Sequence, residues 1–477
     1  MLQRAEDHVA TLREQLLEAQ HDLVTRRPFS VVIVVSGLEG SGRSDTVNLL
    51  STWLDSRHFH VHALGKPTSE EADRPSMWSV WRRLPPKGEI GVFYRGWGSA
   101  EVAFDQRVSE AERTRRLDEI VRFERMLAAE GVLVLNFSFN LSRKQQKKRL
   151  RALERDRRTA WRVTKTVWRE LERYDESLER KQQVLRLLSA PETPWFSIES
   201  DDPDECALGV GRRLLAALTA RLAVREPTTP ATATPREPQR PPAPLPRLDL
   251  TRAISPAEYQ KRLATAQERL VLLVLEKAFR KRSLVIVFEG SDAAGKGGAI
   301  RRVTRALDAR QYTTVAIAAP TDEERAQPYL WRFWRHVPGH GRISIFDRSW
   351  YGRVLVERVE GFCRESDWRR AYGEINEFEA ELASSGAVIV KLWLAISKDE
   401  QLARFREREG TGWKRYKITP EDWRNRERWE DYEAALTEMV DRTSTPRAPW
   451  TLVEANDKRH ARVKVLETIV ARLEEER

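Results

Sequence analysis

The feature that most constrains this chain is that it is written twice. SVVIVVSGLEGSGRSD, from Ser30, aligns with SLVIVFEGSDAAGKGG, from Ser283, and pairs Gly37 with Gly290 at an offset of 253 positions. Tyr94 of GVFYRGW pairs with Asp347 of SIFDRSW at the same offset. Pro67-Thr68 match Pro320-Thr321, and Trp78 and Trp81 match Trp331 and Trp334. The offset then becomes 255, with Pro194-Trp195 against Pro449-Trp450. Two copies of a domain-sized period mean a duplicated domain rather than a solenoid. Between them, EPTTPATATPREPQRPPAPLP has almost no large apolar residue and is rich in proline, which stiffens a chain toward polyproline II. The expected organisation is therefore 1–225, a linker at 226–247, and 248–477. Each copy shows the same series. An amphipathic helix (Val9–Arg26; Ala257–Arg280) leads into a β-branched run (Val31–Ser36; Leu284–Glu289) and a glycine-rich turn. Short apolar runs then alternate with helical stretches: Val61–Leu64, Ile90–Tyr94, Val132–Phe139 and Trp195–Ile198 in the first copy, and Thr314–Ala318, Ile343–Asp347, Val388–Leu394 and Trp450–Glu454 in the second. That alternation predicts an α/β fold: two tandem three-layer domains, each a parallel sheet flanked by helices.

Composition narrows the function classes. The 477 residues include 83 Lys+Arg against 72 Asp+Glu, a net charge of +11, with 40% apolar residues, values typical of a folded globular chain. Two cysteines, Cys206 and Cys363, exclude a disulfide scaffold and a four-thiolate zinc site, and they fit a reducing cytoplasm. No apolar run reaches the ~18 residues of a membrane helix, and MLQRAEDHVATLREQLLEAQ reads as an amphipathic helix rather than a signal peptide. Net positive charge suits nucleic acid, an anionic membrane or a polyanionic substrate; it is equally compatible with an arginine-rich surface that binds nothing.

The second copy carries recognisable chemistry. Gly290-Ser-Asp-Ala-Ala-Gly-Lys-Gly297 has the G-x-x-x-x-G-K spacing of a phosphate-binding loop, placed between a strand and a helix. Gly290, Ala294, Gly295 and Gly297 are expected to present backbone to phosphate, with Lys296 adding a full charge at the helix N-terminus. The hydroxyl that commonly meets Mg²⁺ is replaced by Gly297, so another oxygen must serve, and Asp292 is the candidate. Ile343–Asp347 is an apolar strand ending in an acid, like a Walker B, which makes Asp347 the second expected metal ligand. Arg348, Arg353 and Glu357 follow it. At i, i+4, Arg353 and Glu357 are either part of a phosphate clamp or a surface ion pair; the neighbouring loop favours the clamp. Arg301 and Arg305, also i, i+4, form either a track for a long polyphosphate anion or a solvated helix face. From Arg404 runs RFREREGTGWKRYKITPEDWRNRERWEDYEAAL, with Arg404, Arg406, Arg408, Lys414 and Lys417 among Trp413, Trp423 and Trp429. Thr419-Pro-Glu-Asp422 reads as a helix start. This segment is expected to be a basic lid that excludes water from a transferring group, the alternative being a platform on which bases stack.

GSDAAGKGGAIRRVTRALDAR, PYLWRFWRHVPGHGRISIFDRSWYGRVLVERVEGF and the WK…D…W..Y lid together resemble the polyphosphate kinase type 2 family, over essentially all of 255–477 and weakly over 5–220. The tandem arrangement is similar to its two-domain class. The resemblance implies a P-loop kinase-like fold with a helical lid. It implies Mg²⁺-dependent transfer of the terminal phosphoryl group of inorganic polyphosphate to a nucleoside monophosphate, AMP to ADP. It assigns the functional pattern to Asp292, Lys296, Asp347, Arg348, Arg353 and Glu357, and phosphate contact to a lid arginine, Arg404 or Arg408. A homo-oligomer is expected, and neither a membrane nor a nucleic acid is expected as partner. Two other readings stand beside it: an ATP-dependent nucleotide kinase on the same fold, and a non-catalytic polyanion- or nucleic-acid-binding protein.

The first copy is degraded. Arg43 stands where the second has Lys296, Glu39 for Asp292, Tyr94 for Asp347, Ala100 for Arg353 and Phe104 for Glu357; Arg348 alone survives, as Arg95. A tyrosine with a pKa near 10 is no anionic metal ligand at neutral pH, and a guanidinium does not replace a compact ammonium under a loop. The lid is shorter, from Trp161 to Tyr174 against Trp413 to Tyr432. A retained fold without catalysis is expected. The RKQQKKRLRALERDRR run from Arg143 is either an anion site or a solvated helix.

Overall fold

The computed structural model describes residues 2–97, 109–199, 202–224, 248–412, 416 and 418–476. The proline-rich linker, Ala100 and Phe104, and the lid residues Trp413, Lys414 and Lys417 lie outside them. Two compact units result, one built on each repeat; Pro67–Ser79 belongs to the second unit and Thr321–Tyr329 to the first.

The first unit holds Val31–Gly37 (β1), Phe59–Ala63 (β2), Ile90–Tyr94 (β3), Leu133–Asn140 (β4) and Trp195–Glu199 (β5) in a parallel sheet ordered β2-β3-β1-β4-β5. The second repeats it with Ser283–Gly290 (β6), Tyr312–Ala316 (β7), Ile343–Asp347 (β8), Ala387–Ala395 (β9) and Trp450–Glu454 (β10), ordered β7-β8-β6-β9-β10. Helices connect the strands, and central strands covered on both faces read as unbroken apolar runs. In β6 every residue before Gly290 is buried, and in β9 every residue before Ala395. The edge strand β7 is mostly exposed, so its apolar signal was shifted: the strand starts at Tyr312, not Thr314. The helix expected over Ala257–Arg280 ends at Leu275, because Glu276 turns extended and Lys277–Lys281 forms a 3₁₀ turn that buries Phe279.

The central strand β6 lies between β8 and β9, so its carboxyl end opens into the crevice where ligands of such sheets bind. Gly290 closes the strand at φ +146, and a Cβ there would meet the Leu394 carbonyl oxygen at 2.5 Å. Only glycine lets the chain leave β6 this close to β9.

Candidate active site

The loop after β6 leads into the helix Lys296–Thr304 through Gly295, in the left-handed region. The helix's first N–H groups have no intrahelical acceptor and face the loop. Lys296 Nζ donates to the carbonyls of Gly290 (2.6 Å) and Ser291 (3.4 Å), which holds the ammonium at the loop's base. Burial pushes its pKa down, as does the Arg348 charge; Asp292, Asp347 and Glu289 pull the other way. Asp292 accepts from Arg348 on one oxygen (2.8 Å) and from Asn425 on the other (3.0 Å). Burial disfavours the Arg348 cation, but Asp292, Glu289, Glu421 and Asp347 outweigh it and raise its pKa. Arg348 sits at φ +63, a strained position for a side chain of its size. Asp347 ends β8 opposite Phe288. Lys296, Asp292, Asp347 and Arg348 thus share one charge cluster at the carboxyl end of the sheet.

Beside this cluster opens a cavity of about 530 Å³. Asp292 and Arg348 line one end; Trp393, Trp429, Tyr432 and Leu250 supply much of the apolar wall, with Gln401 and Asn425 among the polar groups. Lys296 and Asp347 are not part of its lining. Neither are Arg353 and Glu357, which pair with each other at 3.0 Å on the turn and helix after Asp347. Arg301 and Arg305 are exposed on the helix leaving the loop.

The lid helix starts at Pro420, as its cap predicts, with Thr419 donating from N and Oγ1 to the Asp422 carboxylate. Its Asn425 reaches Asp292. The expectation that Arg404 contacts phosphate needs correction. Its guanidinium is buried and donates to Glu400 (2.6 Å) and to the carbonyls of Ala293, Ala294, Ala455 and Asn456 at 2.7–3.1 Å. It braces the loop through its carbonyls. Arg408 is half-buried and within the electrostatic reach of Asp292 and Asp422; burial lowers its pKa.

Several residues escaped sequence reading. Glu289 is buried at the end of β6, accepts from Ser349 Oγ (2.8 Å), and has its pKa raised by burial against the Lys296 charge. An acid closing an apolar strand was visible, but it read as part of the strand. Gln401 donates to the Asp292 carbonyl (3.2 Å), and the Tyr432 hydroxyl faces Asn425 Oδ1 (3.2 Å) and Glu360 Oε1 (3.4 Å), one of which accepts its proton. No motif announced Gln401 or Asn425; Tyr432 closes the W..Y of the lid pattern, which does not say what it touches.

A family model described as polyphosphate kinase 2 matches residues 2–226 and 253–477. The chain belongs to the polyphosphate kinase 2 family. It is 52% identical over 474 residues to a polyphosphate:AMP phosphotransferase of Pseudomonas aeruginosa, covering 97% of this chain and 94% of that one. A polyphosphate:AMP phosphotransferase of Acinetobacter johnsonii is 39% identical, with 97% and 95% covered. The crystal structure of a polyphosphate kinase 2 from Pseudomonas aeruginosa superposes with a TM-score of 0.87 at 49% identity, over 99% of this chain and 96% of that one.

The first unit keeps the loop but fills it differently. Arg43 and Arg95 both bind Glu39 (2.8 and 2.6 Å), and Ser44 shares a hydrogen bond with Tyr94 (2.7 Å). The cavity there is about 180 Å³.

Proposed function

We propose that the second unit transfers the terminal phosphoryl group of inorganic polyphosphate to AMP, giving ADP. The observation that carries this reading is the cluster of Lys296, Asp292, Asp347 and Arg348 at a glycine-rich loop, beside a cavity large enough for a nucleoside, in a chain of this family. Loop amides and Lys296 hold phosphoryl oxygens of the donor. Arg348 and Arg408 neutralise charge as the phosphoryl group passes in line to the acceptor. The apolar and aromatic cavity seats the nucleoside, with Trp429 and Tyr432 available to its base. The acceptor phosphate is already anionic, so no strong base and no covalent enzyme intermediate is needed; positioning and charge do the catalysis.

Asp292 and Asp347 offer the hard oxygen donors that Mg²⁺ takes. Among the described residues no group of three or more His, Cys, Asp or Glu could hold a metal by itself. Mg²⁺ commonly keeps waters and substrate phosphates as its other ligands. We assign Mg²⁺ to these two residues; bound there, it would supply positive charge to the phosphoryl oxygens.

The test mixes the full chain with Mg²⁺ and AMP and adds either polyphosphate or ATP. ADP formed with polyphosphate supports the reading; ADP formed only with ATP overturns it.

A further inference from the structure

A lysine lies in the middle of the buried strand β9. Lys391 is wholly buried, and its Nζ donates three hydrogen bonds: to Glu379 Oε2 (2.8 Å), the Tyr351 hydroxyl (2.8 Å) and the Thr443 carbonyl (2.6 Å). Glu379, also buried, accepts on its other oxygen from the Tyr351 hydroxyl (2.6 Å) and Trp350 Nε1 (3.0 Å). Four elements meet at one ammonium: β9, the helix Glu365–Ser384, the C-terminal end of the helix Trp429–Thr443, and the turn Trp350–Arg353. A cation suits that helix end, where carbonyls are unpaired. The turn directly follows Asp347, Arg348 and Ser349, and the other end of the helix Trp429–Thr443 lines the cavity through Trp429 and Tyr432.

The first unit shows what remains when the catalytic side chains are gone. By the repeat offsets, Glu379 corresponds to Glu124, Lys391 to Asn136, Trp350 to Trp97 and Tyr351 to Gly98. Trp97 Nε1 still donates to Glu124 (2.9 Å), and Asn136 donates to Glu124 (3.1 Å) and the Thr193 carbonyl (3.3 Å). The tryptophan–glutamate contact therefore belongs to the fold. The lysine and the tyrosine hydroxyl occur only in the unit with the intact loop.

We infer that Lys391, Glu379 and Tyr351 are positioning residues for phosphoryl transfer: their buried network fixes the turn that sets Arg348 beside Asp292 and ties it to the helix lining the acceptor cavity. None lines that cavity, so their effect passes through the residues they hold. A buried, fully hydrogen-bonded charge pair holds one geometry, because every alternative leaves a charge unpaired out of water.

The inference rests on the polyphosphate-to-AMP reading, and its experiment separates the two. Full-length wild type and Tyr351→Phe are compared with Mg²⁺, AMP and polyphosphate. Phenylalanine keeps the ring packing against Trp450, 4.7 Å away, and removes only the hydroxyl. The expected result is a fall in kcat of roughly tenfold, KM for AMP changed less than about threefold, and a Tm lowered by only a few degrees. A kcat within twofold of wild type would overturn the inference, whatever the Tm. Lys391→Arg keeps the charge and is expected to retain more activity than Lys391→Met at equal folded fraction; equal activities would also overturn it. If wild type itself forms no ADP, the function reading falls first. If wild type turns over and Tyr351→Phe is indifferent, the network role alone falls.

Discussion

The two units share a scaffold and differ in what it carries. Each loop closes its central strand with a glycine whose Cβ would strike the neighbouring strand, Gly37 against the Phe139 carbonyl oxygen (2.7 Å) and Gly290 against that of Leu394 (2.5 Å). Each enters its helix through a left-handed glycine, Gly42 or Gly295. Each strains an arginine after the third-run strand, Arg95 at φ +58 and Arg348 at φ +63. Each braces the loop from a later helix: Gln146 and Arg149 donate to the carbonyls of Glu39 and Gly40, Gln401 and Arg404 to those of Asp292 and of Ala293 and Ala294. Glycines, strain and brace are thus requirements of the turn itself. What differs is the set of side chains the turn carries. In the first unit the loop arginine is neutralised by Glu39, and a tyrosine–serine hydrogen bond occupies the place of the strand-end acid.

The widest separation between the units should appear in catalysis. Lys296→Ala or Asp347→Asn in the full chain is expected to lower ADP formation from polyphosphate about 10³-fold, the scale of losing a charged group that contacts the transferring phosphoryl. Arg43→Ala is expected to change it less than about threefold. Adding Arg43→Lys and Tyr94→Asp to the Lys296→Ala chain should restore nothing, because Ala100 and Phe104 leave the clamp positions empty of charge. Recovery of turnover there would break the comparison at its root.

The brace gives the next effect. Arg404 is buried with five acceptors, so Arg404→Ala strands several carbonyls and should cost about 2–4 kcal/mol, read as a fall in Tm of roughly 5–10 °C. Activity should drop about tenfold. Lysine cannot reproduce the fork, so Arg404→Lys should rescue little. Arg149→Ala should destabilise similarly and leave turnover of the remaining folded enzyme unchanged. A loss of activity from Arg404→Ala with no loss of Tm would return Arg404 to the phosphate.

That residue marks the limit of what could be read in the sequence. The duplication, the parallel sheets, the loop spacing and the acid at the end of β8 were all legible, because each is a local pattern with a fixed period or offset. Arg404 was visible as a lid arginine, but charge alone does not say whether a guanidinium meets phosphate or carbonyl oxygen. Its register with Arg149 held the answer, since a residue kept in the copy without catalytic side chains serves the fold. Lys391 was hidden for the opposite reason. A single lysine in VIVKLWLA looks like an interruption of a strand, and its partners are Tyr351, Glu379 and Thr443, from three other elements. Asn425 carries no motif, and its approach to Asp292 depends on how the lid helices fold back.

The buried glutamates allow a subtler contrast. Burial raises the Glu124 pKa from 4.5 to about 7, against the hydrogen bonds of Trp97 and Asn136. The native first unit then holds a proton that the unfolded chain releases between those values, so its stability falls as pH rises from 4.5 to 7. At 1.36 kcal/mol per unit, the loss approaches about 3 kcal/mol. Glu124→Gln should remove this dependence: the Tm of the variant relative to wild type should rise between pH 5 and pH 8. Glu379→Gln, which deprives Lys391 of its counter-ion, should lower Tm at both. An equal shift for Glu124→Gln at the two pH values would show that Glu124 is ionised throughout.

The smallest expected difference concerns the helix leaving each loop. In the second unit it presents Arg301 and Arg305 to solvent; the corresponding residues of the first are Asn48 and Thr52. Arg462 lies close enough for its pKa to be lowered by burial and by the charges of Arg302 and Arg301, so this end of the second unit concentrates positive potential. If that potential guides a long anion toward the loop, Arg301→Asn with Arg305→Thr, the first unit's own residues, should raise KM for long-chain polyphosphate about three- to fivefold. It should also flatten the salt dependence of that KM, since fewer counterions are exchanged. KM for AMP and kcat at saturation should stay within twofold, because neither arginine lines the acceptor cavity. A change confined to AMP, or none with polyphosphate of any length, would mean that the row is only a solvated face and that the two units differ at the loop alone.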